Sequence, residues 1–284
     1  MARRSVLWKE REDMGRALTG TVTTESGTPV AYWRYGKGPP LVLVHGTAAD
    51  HSRWSPVLSA LERYFSVYTI DRRGRGGSGD SERYEIEREF EDVAAVVASL
   101  EVPVNLLGHS YGGLLALEAA LLTPNVRRLV LYDPGIEAGG GEIYPHEVIG
   151  RLDALLENGD RDGVVEITMR EVAGLPPETV EYMRTLPVWQ ARSDAAHTIP
   201  RELRAVKFYR FDPGRFENLR TPTLLLAGDE SPAAFRKAAE AVDGTLADSR
   251  IVVMEGQGHS AMDTGTDLFT AEVLHFLETT REGG

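Results

Sequence analysis

The chain has 284 residues, 42% of them hydrophobic, no cysteine and a net charge of −12 at pH 7. Disulfides, thiolate metal sites and cysteine nucleophiles are thereby excluded, and the acidic balance argues against nucleic acid or an anionic membrane as partner. The length suits one α/β domain with an insertion as well as two domains. The opening MARRSVLWKEREDMG has basic residues but no apolar h-region, and no run approaches a membrane span. The expectation is a cytoplasmic protein whose first eighteen or so residues form a loose, partly helical arm. Thr21 to Thr24 and Pro29 to Tyr35 alternate around Glu25-Ser26-Gly27, which reads as an edge hairpin. Leu41 to Val44 is a continuous apolar run, as in a parallel strand covered on both faces, and ends in His45-Gly46-Thr47. A helix over Ser55 to Arg63 and a strand over Phe65 to Ile70 follow. The strand ends in the glycine-rich loop Asp71 to Gly79. From Glu85 to Leu100, apolar residues at Ile86, Phe90, Val93, Val97 and Leu100 keep the spacing of an amphipathic helix.

Val104 to Leu107 then feeds Gly108-His109-Ser110-Tyr111-Gly112, with a helical run from Leu114 to Leu122. This is G-x-S-x-G between a strand and a helix, where the glycines leave room for a strained turn that pushes the serine hydroxyl out at its tip. The plainer reading is a turn whose serine only caps the helix. A strand from Arg128 to Tyr132 ends at Asp133-Pro134. Strands alternating with helices imply a parallel sheet with right-handed crossovers.

From Gly135 to about Leu219 the alternation stops. Helical spacing persists, but Pro176-Pro177, Pro187, Pro200 and Pro213 cut the segment into short helices, which reads as a lid. The sheet resumes with Thr223 to Ala227, a helix from Ala233 to Val242, a strand from Ile251 to Met254 and a helix from about Asp267 to Glu278. Polar residues thus gather at the carboxyl ends of the strands, where open α/β folds bind ligands: His45-Gly46-Thr47, Ser110-Tyr111, Asp133 with Gly228-Asp229-Glu230-Ser231, and Gly258-His259.

Serine, then acid, then histidine is the triad order of α/β hydrolases, and from about Thr21 to Leu277 the chain resembles that superfamily. LVLYDPG, LLLAGDESP and GQGHSAMDT look like a group of actinobacterial hydrolases of mostly unassigned substrate. The resemblance implies a mostly parallel eight-stranded sheet flanked by helices, with residues 1–134 and 220–284 as the core and 135–219 as a helical lid. Chemistry puts Ser110 as nucleophile and His259 as its base. The resemblance supplies an oxyanion hole from the backbone N–H groups of Thr47 and Tyr111. The family's commoner G-x-x-D acid position holds Ser231, so the acid is sought at Asp133, where other hydrolases of this fold keep it, with Glu230 as alternative and Asp229 behind. His109 is expected to pack under the turn and His45 to shape its own loop, with His51, His146, His197 and His275 at the surface. The DRRGRGGSG loop lacks a P-loop ending and reads as structural. Trp54, Trp189, Phe208, Tyr209 and Met183 could line an acyl pocket or simply pack the lid; Trp189 is carried forward as the substrate-binding candidate. The expectation is a serine hydrolase acting, without metal or organic cofactor, on a small ester, lactone or thioester with an apolar acyl or lactone part, with a homodimer as the assembly considered. The alternatives are a C–C bond hydrolase or haloperoxidase-like enzyme with the same triad, and a hydrolase fold recruited for lyase, cyclase or binding roles.

Overall fold

A computed structural model describes residues 19–138 and 141–278; the expected N-terminal arm lies outside them. The strands are β1 (Gly20–Thr23), β2 (Pro29–Tyr35), β3 (Pro40–Val44), β4 (Ser66–Ile70), β5 (Val104–His109), β6 (Val126–Tyr132), β7 (Thr223–Gly228) and β8 (Ser249–Met254). They form one sheet in the order β1-β2-β4-β3-β5-β6-β7-β8. The β1–β2 hairpin joins antiparallel at one edge, and every pairing from β4 to β8 is parallel. The expected mostly parallel eight-stranded sheet is therefore present.

Around it lie α1 (Ser55–Leu61), α2 (Ile86–Ser99), α3 (Tyr111–Leu122), α4 (Val148–Glu157), α5 (Arg161–Ile167), α6 (Pro177–Arg184), α7 (Pro187–Asp194), α8 (Thr198–Phe208), α9 (Ala233–Asp243), α10 (Ala261–Thr264) and α11 (Thr266–Glu278). Successive strand residues face opposite sides. Leu41, Leu43, Leu107 and Leu224 pack with Val57, Leu61, Phe269 and Val273 of α1 and α11. Val42, Val44, Leu106 and Leu225 pack with Phe90, Val97, Leu117 and Ala238 of α2, α3 and α9. Two apolar cores thus hold the sheet's carboxyl edge in place.

Helix α3 begins at Tyr111, three residues earlier than the apolar run suggested. Gly112 and Gly113 read as turn residues but belong to the helix, for a packing reason. A Cβ at Gly112 would sit 2.3 Å from the Val44 carbonyl, and one at Gly108 would sit 2.2 Å from the Gly112 carbonyl. The glycines let the helix start directly against β3 and β5.

Helices α4 to α8 lie between β6 and β7, with a π-helical turn at Thr168–Val172. Pro177 and Pro187 occupy the first positions of α6 and α7, where the missing N–H breaks no helical bond. Among the described residues no helix is long and apolar enough to cross a membrane.

Candidate active site

Strand β5 runs into α3 through Ser110, whose backbone is left-handed at φ 56° and ψ −124°. Such a conformation in a residue with a side chain stores strain of order 1–3 kcal/mol and persists only when neighbours impose it. Here they do: the Ser110 N–H donates to the Tyr132 carbonyl at 2.9 Å, and its carbonyl accepts from Gly113 and Gly135, both at 2.8 Å. Ser110 stands at the helix N-cap, yet its hydroxyl makes no capping bond. The plainer reading of the serine as a cap is thus set aside.

The His45-Gly46-Thr47 loop passes against it. A Cβ on Gly46 would lie 2.9 Å from the Ser110 Cβ and 3.4 Å from its Oγ, so only glycine leaves the hydroxyl unobstructed. Neither the Thr47 N–H nor the Tyr111 N–H donates to a partner among the described residues. Two free N–H groups therefore flank the serine.

Asp133 follows β6 directly and is fully buried, with its own backbone left-handed at φ 42°. Its Oδ1 accepts the Gly228 N–H at 3.1 Å, and its Oδ2 accepts the Ser231 hydroxyl at 2.6 Å. The same Oδ2 lies 3.0 Å from His259 Nδ1, leaving Nε2 as the ring's remaining basic atom. Glu230 and Asp229 are exposed; the Asp229 carboxylate accepts the Gln257 N–H at 3.1 Å instead. The hydroxyl of Ser231, at the place where G-x-x-D relatives would carry the carboxylate, serves as a donor to Asp133.

His259 is held on both faces. Phe235 of α9 stacks on its ring at 4.3 Å and His109 lies at 4.6 Å on another side. His109 is buried under the turn, as expected, and its Nε2–H donates to the His259 carbonyl at 2.9 Å. Tyr132 donates to the Gly258 carbonyl and accepts the Ala261 N–H at 3.1 Å, pinning the turn that carries His259. Burial holds His109 well below the ordinary histidine range, and the nearby His259 adds to the effect.

His45 does shape its loop. Its Nδ1–H donates to the Gly46 carbonyl at 2.8 Å, while Nε2 accepts the Arg72 N–H at 3.2 Å. Both nitrogens are used as a neutral ring uses them, and burial pushes its pKa down strongly. His51 is not the surface residue the sequence suggested. It stacks on Trp33 at 3.5 Å and pairs with buried Asp71 at 2.8 Å; burial lowers its pKa, but the Asp71 bond and charge raise it more. His146 is likewise half-buried between Glu137 and Glu142, whereas His197 and His275 are exposed. Among the described residues, Asp50, His51 and Asp71 form a group close enough to share a cation. Within that group, Asp71 accepts from His51 and Gly77 through its two oxygens, and Asp50 Oδ1 accepts from Ser52.

The DRRGRGGSG loop is structural in an unexpected way, as it carries three buried arginines. Arg72 donates to Glu89 of α2 at 2.8 Å, to Glu202 of α8 at 2.9 Å and to the Gly46 carbonyl at 3.1 Å, and its guanidinium lies 4.8 Å over the Tyr111 ring. Arg75 donates to Glu202 and, at 3.1 Å, to the Ala49 carbonyl. Burial opposes the Arg72 charge, but Glu202 and Glu89 outweigh it and keep the guanidinium ionised. Sequence reading missed Glu89 and Glu202, because one acid on each of two helices has no local signature of burial. Trp189 donates its indole N–H to Asp162 at 2.9 Å and lies under Arg184. These partners belong to the inserted helices. Of the other aromatic candidates, Trp54 is buried beside α1 and Phe208 is exposed.

A family model described as the alpha/beta hydrolase family matches residues 41–272. The chain belongs to the alpha/beta hydrolase family. It is 35% identical to an N-formylmaleamate deformylase of Pseudomonas putida over 147 residues, a match that spans 50% of this chain and 55% of that protein. It is 28% identical to a putative carbamate hydrolase, RutD, of Agrobacterium fabrum over 257 residues, 85% of this chain and 94% of the relative. Among solved structures, an alpha/beta hydrolase from Sphaerobacter thermophilus superposes with a TM-score of 0.76 at 34% identity, covering 90% of this chain and 99% of that one. The RhEst1 esterase from a Rhodococcus species superposes at 0.71 with 26% identity, covering 91% and 98%.

Proposed function

We propose that this alpha/beta hydrolase is a serine hydrolase that cleaves a carboxylic ester, lactone or thioester through an acyl-enzyme, with Ser110 as nucleophile, His259 as base and Asp133 as the acid that orients it. The observation that carries the reading is the buried Asp133 carboxylate bonded to His259 Nδ1 at 3.0 Å, on the same sheet edge as a strained serine beside two free N–H groups. In the first half-reaction the Ser110 oxygen bonds to the acyl carbon as its proton passes to His259 Nε2. The oxygen of the former carbonyl takes up the negative charge, and the N–H groups of Thr47 and Tyr111 stabilise it; removing one such donor typically costs 10²–10³ in rate, a range of about 2.7–4 kcal/mol. Collapse breaks the bond to the leaving group, which takes the proton from His259. Water then repeats the sequence on the acyl-enzyme, with His259 as base once more, and frees the acid. The buried Asp133 fixes the ring tautomer and stabilises the imidazolium formed in each half.

The names of the relatives support acyl cleavage, since they describe a deformylase, a carbamate hydrolase and an esterase. The helices between β6 and β7 would act as a lid over this edge. Nitrophenyl esters of rising acyl length, mixed with enzyme and quenched early, test the reading. The expected result is a peptide containing Ser110 heavier by the acyl group. Turnover with acyl groups only on another residue, or on none, would contradict it.

A further inference from the structure

Loop 46–49 is held by three arginines. Arg72 reaches the Gly46 carbonyl, Arg75 the Ala49 carbonyl and Arg192, from α7 of the inserted segment, the Ala48 carbonyl at 3.0 Å. Arg72 and Arg75 have carboxylate partners within ion-pair distance. So do nearby Arg53, paired with Asp263 at 2.8 Å, and Arg73, paired with Asp92 at 2.7 Å. Arg192 differs. It makes no ion pair among the described residues, and its Nη1 is buried without a hydrogen-bond partner. The charged groups that face it are Arg53, Asp50 and Asp263. Burial, and then the repulsion of Arg53, pull its guanidinium down to about 10. Asp263 lies four residues beyond His259, and Ala48 lies one beyond Thr47. Arg192 is therefore bonded to the loop that carries the oxyanion donor and feels the charge of Asp263 on α10, the helix that follows His259.

A buried polar group left unpaired is costly, and a charged one more so. An arginine nitrogen kept in that state, on a side chain bonded to the residue after Thr47, suits an anion that arrives with the substrate, because the planar guanidinium fork matches a carboxylate. The surrounding charge of −12 repels anions elsewhere on the molecule. We propose that Arg192 receives a free carboxylate on the substrate, so that the acyl compound hydrolysed at Ser110 is a half-ester, or a lactone, of an acid that keeps a second ionised carboxyl group. This inference rests on the serine-hydrolase reading above for the reaction, but not for the binding.

Two measurements separate these. The first compares nitrophenyl half-esters of straight-chain dicarboxylic acids, from succinate to suberate, with neutral nitrophenyl esters of the same chain length. Wild type is expected to favour the anionic member of at least one pair in kcat/KM. Arg192→Met should reduce that preference by about 10- to 100-fold, mostly through KM, the range expected on losing a hydrogen-bonded charge pair. Arg192→Lys, which keeps the charge without the fork, should restore part of it. Absence of any preference in wild type, or equal losses on both esters in Arg192→Met, would overturn the proposal and leave Arg192 as a support for Ala48 alone. The second measurement needs no catalysis: the free dicarboxylates should raise the melting temperature of wild type and not that of Arg192→Met. Stabilisation in wild type without hydrolysis of any ester would sink the serine-hydrolase reading while sustaining the anion site. Equal shifts in both proteins, or none, would refute the site.

Discussion

Among the described residues, four other than glycine have left-handed backbone, and three of them, Ala48, Ser110 and Asp133, stand at the carboxyl edge of neighbouring strands β3, β5 and β6. Ala48 directly follows Thr47, Ser110 directly precedes Tyr111, and Asp133 stands two residues before Gly135, whose N–H donates to the Ser110 carbonyl. Strain concentrated in this way marks residues aimed by the fold rather than by their own preference. The acid is the sharpest case. Asp133 has three donors, Gly228, Ser231 and His259, so Asp133→Asn should lose about 10⁴ in kcat while Glu230→Gln changes it by no more than about tenfold. Kinetics of the two purified variants check this; near-normal Asp133→Asn beside inactive Glu230→Gln would reverse the assignment. Ser231→Ala removes one donor to a charged acceptor, a loss of about 1.5–3 kcal/mol where it is felt. It should lower kcat by roughly 10- to 100-fold, measured on the same ester. Ser110 and His259 are proposed from motif and order alone. The choice of Asp133 over Glu230 turns on the direction of a carboxylate, which no residue spacing encodes; Ser231, hydroxyl in place of acid, was the available signal.

At the level of elements, apolar runs placed β3, β5 and β7 to within two residues, because those strands are buried on both faces, while alternation placed the edge hairpin of β1 and β2. Legibility failed where polarity and glycine gave the wrong cue. The start of α3 was hidden by Gly112 and Gly113, and the glycine-rich loop after β4 concealed Arg72 and Arg75. That loop joins α2, the 46–49 loop and α8 through Glu89 and Glu202, so the inserted helices are tied to the core by buried ion pairs. Removing one partner of such a pair leaves the other charge stranded in the interior, at about 3–5 kcal/mol. Glu202→Gln is expected to lower unfolding stability on that scale in urea. A change under about 0.5 kcal/mol, typical of surface substitutions, would mean that the network does not join the two parts. Gly46→Ala should strike both activity and stability: the new methyl meets Ser110 Cβ at 2.9 Å and the His109 carbonyl at 3.2 Å, so activity should fall and stability in urea should drop by about 1–3 kcal/mol, as is typical of overpacking.

Over the whole molecule, buried histidines set a pH dependence of stability that is separate from that of activity. His45 and His109 are held neutral by burial, with folded pKa values below the ordinary 6.5. Below that value the unfolded chain binds their protons and the folded chain does not, so stability is complete above about pH 6.5 and is lost as pH falls beneath it. Each can contribute a slope of up to about 1.4 kcal/mol per pH unit. His51 has the opposite sign: its raised pKa gives stability present in acid and lost as pH rises through the folded value. Two against one, the melting temperature should fall between pH 7 and 5, and His109→Gln, if folded, should show a shallower fall. A melting temperature that rises toward pH 5 would contradict the account.

All of this depends on Ser110 being the reactive group at the sheet edge. The most direct measurement is labelling of the intact protein by a fluorophosphonate, followed by mapping of the modified peptide. The account predicts one modification, on Ser110, lost in Ser110→Ala and slowed in His259→Gln, which leaves no base to accept the proton. Labelling that persists in a folded Ser110→Ala protein, or that maps to another residue while ester turnover continues, would contradict it.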